Sequence, residues 1–163
     1  MNEKPKKMAI IAANGSLDAA YPPMILASTA AAMDMEVQVF FTFYGFDLIH
    51  KKRSKNLKVS PIGNAAAPKA FGLFHPPIIM SIIPGMTRMA TWMMKSWMKK
   101  ANVAKFDELR EACLEAGVKF LPCQMTMDVM GIKEEDLIDG CEPPVGAASF
   151  LEFARDADIT LYM

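Results

Sequence analysis

The chain has 163 residues, with 18 Lys plus Arg against 18 Asp plus Glu and therefore a net charge of zero. That length fits one domain of roughly 100–200 residues, with a core large enough to fold without disulfides or metal. The even charge balance argues against a dedicated nucleic-acid binder, and a 52% hydrophobic content excludes disorder over most of the chain.

Residues 1–6 read as a flexible basic tail on a single domain spanning 1–163. The apolar run after it, Met8 to Ala13, is too short for a secretory h-region. Lys7 to Ala13 reads as a buried strand ended by the turn Asn14-Gly15-Ser16. Pro22-Pro23 fits a helix start, with an Ala-rich helix over Met24 to Met33. Val37 to Tyr44, β-branched and aromatic, is a second strand stopped by Gly45. Strand, helix and strand in about 40 residues make a βαβ unit, hence a parallel sheet with a right-handed crossover.

Phe46 to Ile49 suggests a short helix, and Lys51 to Lys58 a solvated face. Residues 60–76, rich in Pro, Ala, Gly and Asn, suggest a mobile loop. The greasy stretch Pro76 to Met98 is broken by Pro84-Gly85 and charged by Arg88 and Lys95, so it is not a membrane span. It resolves into an apolar segment, Ile78 to Ile83, and a helix over Met86 to Lys100. Helical spacing puts Met86, Met89, Ala90, Met93 and Trp97 on one stripe, with Trp92, Met94 and Met98 off it. Two apolar faces on one helix predict either a helix buried deep in the core or one with a single face packed on the core. In the second case the other face meets a second subunit or partner, or through Arg88, Lys95, Lys99 and Lys100 an anionic membrane surface.

Lys105 to Ala116 is amphipathic, with Phe106, Leu109, Ala112, Cys113 and Ala116 on one face and Gly117 as its cap. Val118 to Leu121 is a short strand ended by Pro122, and Gln124 to Met130 a helical turn stopped by Gly131. Ile132 to Ile138 reads as an acidic helix, Val145 to Asp156 as a helix after Pro143-Pro144, and Ile159 to Tyr162 as a last strand.

Ligands of open α/β sheets bind beyond the carboxyl ends of the strands. Three segments reach that rim: Asn14-Gly15-Ser16, Phe43-Tyr44-Gly45 and Pro122-Cys123-Gln124. Only the last carries a nucleophile. A cysteine at the start of a helical turn faces unpaired N–H groups that favour the thiolate. A cysteine is also among the most readily buried residues, so an inert Cys123 stays open at this point. Cys113, on the apolar face of its helix, reads as a small core residue; Cys141, after Asp139-Gly140, is a candidate resolving thiol. His75 stands in the long loop, where it could close over a site. Asn14-Gly15-Ser16 offers backbone amides to an anion but lacks both GxGxxG and a P-loop lysine. Three cysteines without CxxC and two distant histidines form neither a disulfide framework nor a zinc site, which points to a reducing, cytoplasmic setting.

The stretch Glu111-Ala112-Cys113-Leu114-Glu115-Ala116-Gly117-Val118, followed by Pro122-Cys123-Gln124-Met125-Thr126-Met127-Asp128-Val129-Met130-Gly131-Ile132, resembles the DsrE/DsrF/DsrH-like sulfur-transfer family, in its longer branch sometimes labelled peroxiredoxin-like. The strand VQVFFTFYGF and the helix PGMTRMATWMMKSWM fit the same branch. The resemblance implies an α/β/α three-layer sandwich with a mainly parallel sheet of about five strands. It also implies a homo-oligomer, often trimeric or larger, and a cysteine carrying sulfur as a persulfide or thiosulfonate, which matches Cys123. A second cysteine of the branch matches Cys113, and Cys141 lies outside the pattern. The expectation is a sulfur carrier or sulfurtransferase in which Cys123 takes a sulfane sulfur and yields it to a partner thiol, with Gln124 and backbone amides stabilising charge. No metal or organic cofactor is called for. The rivals are a non-catalytic anion- or nucleotide-binding module using Asn14, Gly15 and Ser16, with Tyr44 and His75 near the rim, and a thiol redox protein pairing Cys123 with Cys141 or Cys113.

Overall fold

A computed structural model describes residues 5–60 and 85–163. All of the expected mobile loop over 60–76 but Ser60, with His75, the Ile78 to Ile83 segment and most of the expected tail, lies outside the described residues. The chain divides into two compact units, one of Met1–Gly15, Ala19–Leu57 and Lys105–Met163, the other of Ser16–Asp18 and Lys58–Ala104.

The first unit is built on a parallel sheet. Strands β1 (Lys7–Ala12), β2 (Glu36–Phe41), β3 (Lys119–Pro122) and β4 (Ile159–Tyr162) lie in the order β3-β2-β1-β4. The register pairs Ile10 with Val39 and with Leu161, and Phe41 with Pro122. Helices α1 (Leu17–Ala32), α3 (Phe106–Glu115), α4 (Gln124–Met130) and α5 (Ala147–Ala154) accompany it, α2 being the Met86–Lys100 helix. The chain steps from β1 to β2 to β3 in one direction and returns past β1 to β4. Right-handed crossovers therefore send α1 and α3 to one face and α5 to the other. The contacts agree: the Cys113 thiol of α3 donates to the Met24 carbonyl of α1 at 3.3 Å, while Phe150 of α5 stacks on Phe40 of β2 at 4.8 Å. Phe41, pointing the opposite way from Phe40, meets Phe120 edge-on. The result is the expected three-layer α/β architecture.

Four strands stand among the described residues where about five were expected. The place beside β3 is filled by Cys141–Val145, which touches the sheet only at two isolated parallel bridges, Phe120 with Cys141 and Cys123 with Val145. Between them stand Pro143 and Pro144, which have no N–H to give a ladder. A fifth strand is thus begun and cut off.

Several elements differ from the sequence reading for identifiable reasons. Helix α1 starts at Leu17, five residues before Pro22, and carries both prolines inside it. Leu17, Ala20, Met24, Ala27 and Ala30 form its buried stripe, and Pro23 is itself fully buried. Core packing of the first turn outweighs the preference of proline for a helix start. Strand β2 ends at Phe41 rather than Tyr44, because Phe43 takes a positive φ of 44° and opens a 3-10 helix over Phe43–Leu48. On α3 the buried residues are Phe106, Arg110 and Cys113, whereas Ala112 and Ala116 are exposed. A buried arginine at the centre of the stripe hid its position; Arg110 donates to the Leu48 carbonyl and pairs with Asp107. The expected acidic helix is one 3-10 turn, Glu134–Asp136.

In the second unit, α2 has the predicted bounds. Its one buried residue is Thr91, which accepts the Val59 N–H and donates to the Thr87 carbonyl. Met89 and Ala90, expected to face a core, are exposed, and Trp92 is 69% exposed. The Ser60 N–H donates to Asp18 Oδ1, and the Leu17 N–H to the Lys58 carbonyl. Among the described residues no helix is long and apolar enough to cross a membrane.

Candidate functional site

The rim at the carboxyl ends of β1, β2 and β3 is set by close backbone packing. A Cβ at Gly45 would run into the Ala12 carbonyl, so only glycine lets the 3-10 helix lie against the end of β1. A Cβ at Gly15 would strike the Tyr44 carbonyl and the Asp47 side chain. Gly15 and Tyr44, two of the predicted rim residues, are thereby brought together. The neighbours at Gly15 are a carbonyl oxygen and a carboxylate, the latter paired with Arg53 at 3.3 Å. Negative partial charge at that point opposes an anion, which weakens the reading of Asn14-Gly15-Ser16 as an anion cradle. Asn14 is exposed, and Ser16 belongs to the second unit.

Cys123 directly follows β3 and is the N-cap of α4, with extended backbone. Its N–H donates to the Phe41 carbonyl at the end of β2, and its carbonyl accepts from Met127. The next residue is fixed on the other side, Gln124 N–H to the Val145 carbonyl and Val145 N–H to the Pro122 carbonyl. The residue is 4% exposed. It stands where the sequence places a nucleophile, but tucked beneath the rim rather than open on it. Gln124 is not poised over the thiol: its side-chain amide donates to Asp128 Oδ1 at 2.9 Å along the exposed face of α4.

The other two thiols sit elsewhere. Cys113 is fully buried near the C-terminal end of α3, the end that leads into the start of β3, so the length of that strand separates it from Cys123. Burial pushes its thiol up to about 11. Cys141 pairs with Phe120, three residues before Cys123 along the strand, which is about 10 Å at the usual rise. Burial pushes it up to about 12, against the pull of the Arg110 cation. All three cysteines are free, and no two of them are brought together. His50, the described histidine, is buried with Nδ1 accepting the Lys52 N–H; burial lowers its affinity for a proton, which marks a structural imidazole. Among the described residues no three His, Cys, Asp or Glu side chains gather as a metal site.

Sequence reasoning missed the groups that hold the rim together. Thr126 of α4 is completely buried, with its Oγ1 3.1 Å from Thr42 Oγ1 and accepting the Phe43 N–H at 3.2 Å. The signal available was a threonine three residues after the cysteine at the start of a helix; nothing in the sequence marks Phe43 for a positive φ. A shallow hollow between α5 and β4, lined by Leu151, Arg155 and Thr160, lies at the opposite edge of the sheet from Cys123.

Residues 4–162 match the model of the DsrE/DsrF/DrsH-like family. The chain is 54% identical to a protein named sulfur carrier protein DsrE2 from Allochromatium vinosum, over 97% of this chain and 98% of that one. It is 33% identical, over the whole of both chains, to the uncharacterized protein YrkE of Bacillus subtilis. Two solved structures share its fold: the ychN protein of E. coli, with a TM-score of 0.52 and 12% identity over 97% of this chain and 99% of that one, and MTH1491 of Methanobacterium thermoautotrophicum, with a TM-score of 0.52 and 8% identity over 96% and 98%.

Proposed function

We propose, on the premise that this chain belongs to the DsrE/DsrF/DrsH-like family, that it is a cytoplasmic sulfur carrier whose sulfur is held on Cys123. The observation that carries the assignment to Cys123 is its place at the carboxyl end of β3, hydrogen-bonded to strand β2 and opening α4. Strand ends of this kind are where α/β folds put their chemistry. Cys113 and Cys141, with thiols pushed well up by burial, lack the thiolate that nucleophilic attack needs.

In the first step the Cys123 thiolate attacks the outer sulfur of a sulfane donor. The donor's S–S bond breaks, its remainder leaves with the electron pair, and Cys123 carries a persulfide. In the second step an acceptor thiolate attacks the terminal sulfur of that persulfide, and Cys123 leaves as thiolate. The two steps balance without an external oxidant or reductant. Mass spectrometry of the reduced protein after incubation with thiosulfate or polysulfide tests this. One sulfur atom gained on Cys123 is the expected result; loss of two hydrogens would make it a redox protein, and no change would leave only a binding module.

The partners are a sulfur donor, an acceptor protein and further copies of this chain meeting through α2. Trp92 and Met89 stand exposed on that helix, an arrangement soluble monomers rarely keep. Light scattering is expected to give a homo-oligomer that Trp92→Glu dissociates. A monomer that binds anionic vesicles through Arg88, Lys95, Lys99 and Lys100 would overturn self-association in favour of a membrane surface.

A further inference from the structure

We infer that Thr126 is a positioning residue whose buried hydroxyl latches the lip Thr42–Tyr44 beside Cys123 and so sets how well that thiol, and any sulfur it carries, is screened from small thiols. The screening of cargo rests on the sulfur-carrier reading; the screening of the bare thiol does not.

The stretch Phe41–Phe43 is tied to α4 at two points one helical turn apart. Cys123 donates its N–H to the Phe41 carbonyl at 3.0 Å, and Phe43 donates its N–H to Thr126 Oγ1 at 3.2 Å. The Thr42 hydroxyl lies 3.1 Å from that of Thr126. Between these ties, Phe43 holds a φ of 44°, a conformation an aromatic residue keeps only where its surroundings impose it. The preceding amide is held by Thr42 N–H to the Ala12 carbonyl, and the following turn by Gly45 N–H to the Thr42 carbonyl. The bond that fixes Phe43 itself is the one to Thr126. Phe43 and Tyr44 are exposed, whereas Cys123, bonded to the chain at Phe41 two residues before Phe43, is 4% exposed and Thr126 is fully buried.

Valine has the shape of threonine without its hydroxyl. Thr126→Val would leave the Phe43 N–H without its acceptor, and Phe43 would relax toward an extended φ, carrying Tyr44 away from the rim. A carrier gains from the opposite state, because its persulfide must outlast encounters with free small thiols until the acceptor docks. Any such thiol attacks the terminal sulfur as the acceptor does, forming an S–S bond to itself and releasing the Cys123 thiolate.

The test compares wild type, Thr126→Val, Thr126→Ser and Thr42→Val. Two rates are read on folded protein: maleimide labelling of unloaded Cys123, and loss of polysulfide-loaded sulfur to dithiothreitol. Thr126→Val is expected to raise both by about fivefold or more, the factor that the free energy of one hydrogen bond carries. Thr126→Ser, which keeps the hydroxyl, should restore both to within about twofold, and Thr42→Val should fall between. A structural role alone would lower the melting temperature without the serine rescue of both rates. Folded Thr126→Val with wild-type rates overturns the latch; if that variant does not fold, an unchanged labelling rate in Thr42→Val overturns it instead. Failure of the wild type to load sulfur would count against the carrier reading, and the labelling rates would still decide the latch.

Discussion

Cys113 and Cys123 are the same residue, both shielded from solvent, ten positions apart, and their surroundings could hardly differ more. Cys113 lies inside a helix–helix contact, its thiol donating to the Met24 carbonyl and pushed up to about 11 by burial. Cys123 lies at a seam of backbone ends, where β2, β3, α4 and the Cys141–Val145 segment exchange hydrogen bonds around it. The first is screened by side chains packed on a regular element. The second adjoins a short lip, Thr42–Tyr44, tied to α4 through two threonine hydroxyls and carrying one residue with a positive φ. Burial alone does not tell the two thiols apart; what distinguishes their surroundings is whether the neighbouring layer is core or rim.

The sharpest way to break this comparison is to remove each sulfur in turn. Cys123→Ser is expected to abolish sulfur loading, read as mass gained after polysulfide treatment, whereas Cys113→Ala should load as wild type. Loading on the serine variant would move the site elsewhere. The cost of Cys113→Ala should appear as stability instead, about 1–2 kcal/mol in denaturant unfolding, because it opens a small cavity between α1 and α3. A fully stable variant that cannot pass sulfur on would put Cys113 in the mechanism.

A pH series sharpens the contrast further. The Cys113 thiol, at about 11 folded against 9.0 as its ordinary value, keeps its proton more tightly in the native state. Above the ordinary value the native state therefore binds more protons than the unfolded one, so stability falls as pH rises. Its contribution is complete below about pH 9 and is lost through pH 11, and Cys113→Ala should flatten that decline. The smallest effect is expected at Gln124. With its amide on Asp128, Gln124→Ala should change the loading rate by less than about twofold and stability by less than about 0.5 kcal/mol. A larger loss of rate would return Gln124 to the role the sequence suggested for it.

The parallel βαβ core was legible because Met8 to Ala12 is an uninterrupted apolar run and Val37 to Phe41 is β-branched and aromatic but for Gln38, as buried parallel strands require. The bounds of α2 followed from Gly85 before it and Lys99-Lys100 at its end. What it buries did not, because Thr91 is held by hydrogen bonds to Val59 and Thr87 that no hydrophobic pattern encodes. The same limit applied at the candidate site. A cysteine between a short strand and a helical turn is readable, but the Thr126–Thr42 contact joins residues 84 positions apart. The placement of Arg110 on the buried stripe depends on the distant carbonyl of Leu48 in the same way.

The interrupted pairing beside β3 also has a bearing on how the protein associates. A free strand edge is a template for another chain, and an edge next to Cys123 would invite adhesion beside the proposed sulfur site. Pro143 and Pro144 offer an incoming strand no donors over the middle of that border, so the sheet cannot be lengthened there. The opposite border is not guarded in this way. In β4, the strand at the other end of the order among the described residues, Ile159 and Tyr162 are exposed, the latter at 73%, and no proline interrupts the run Ile159–Tyr162.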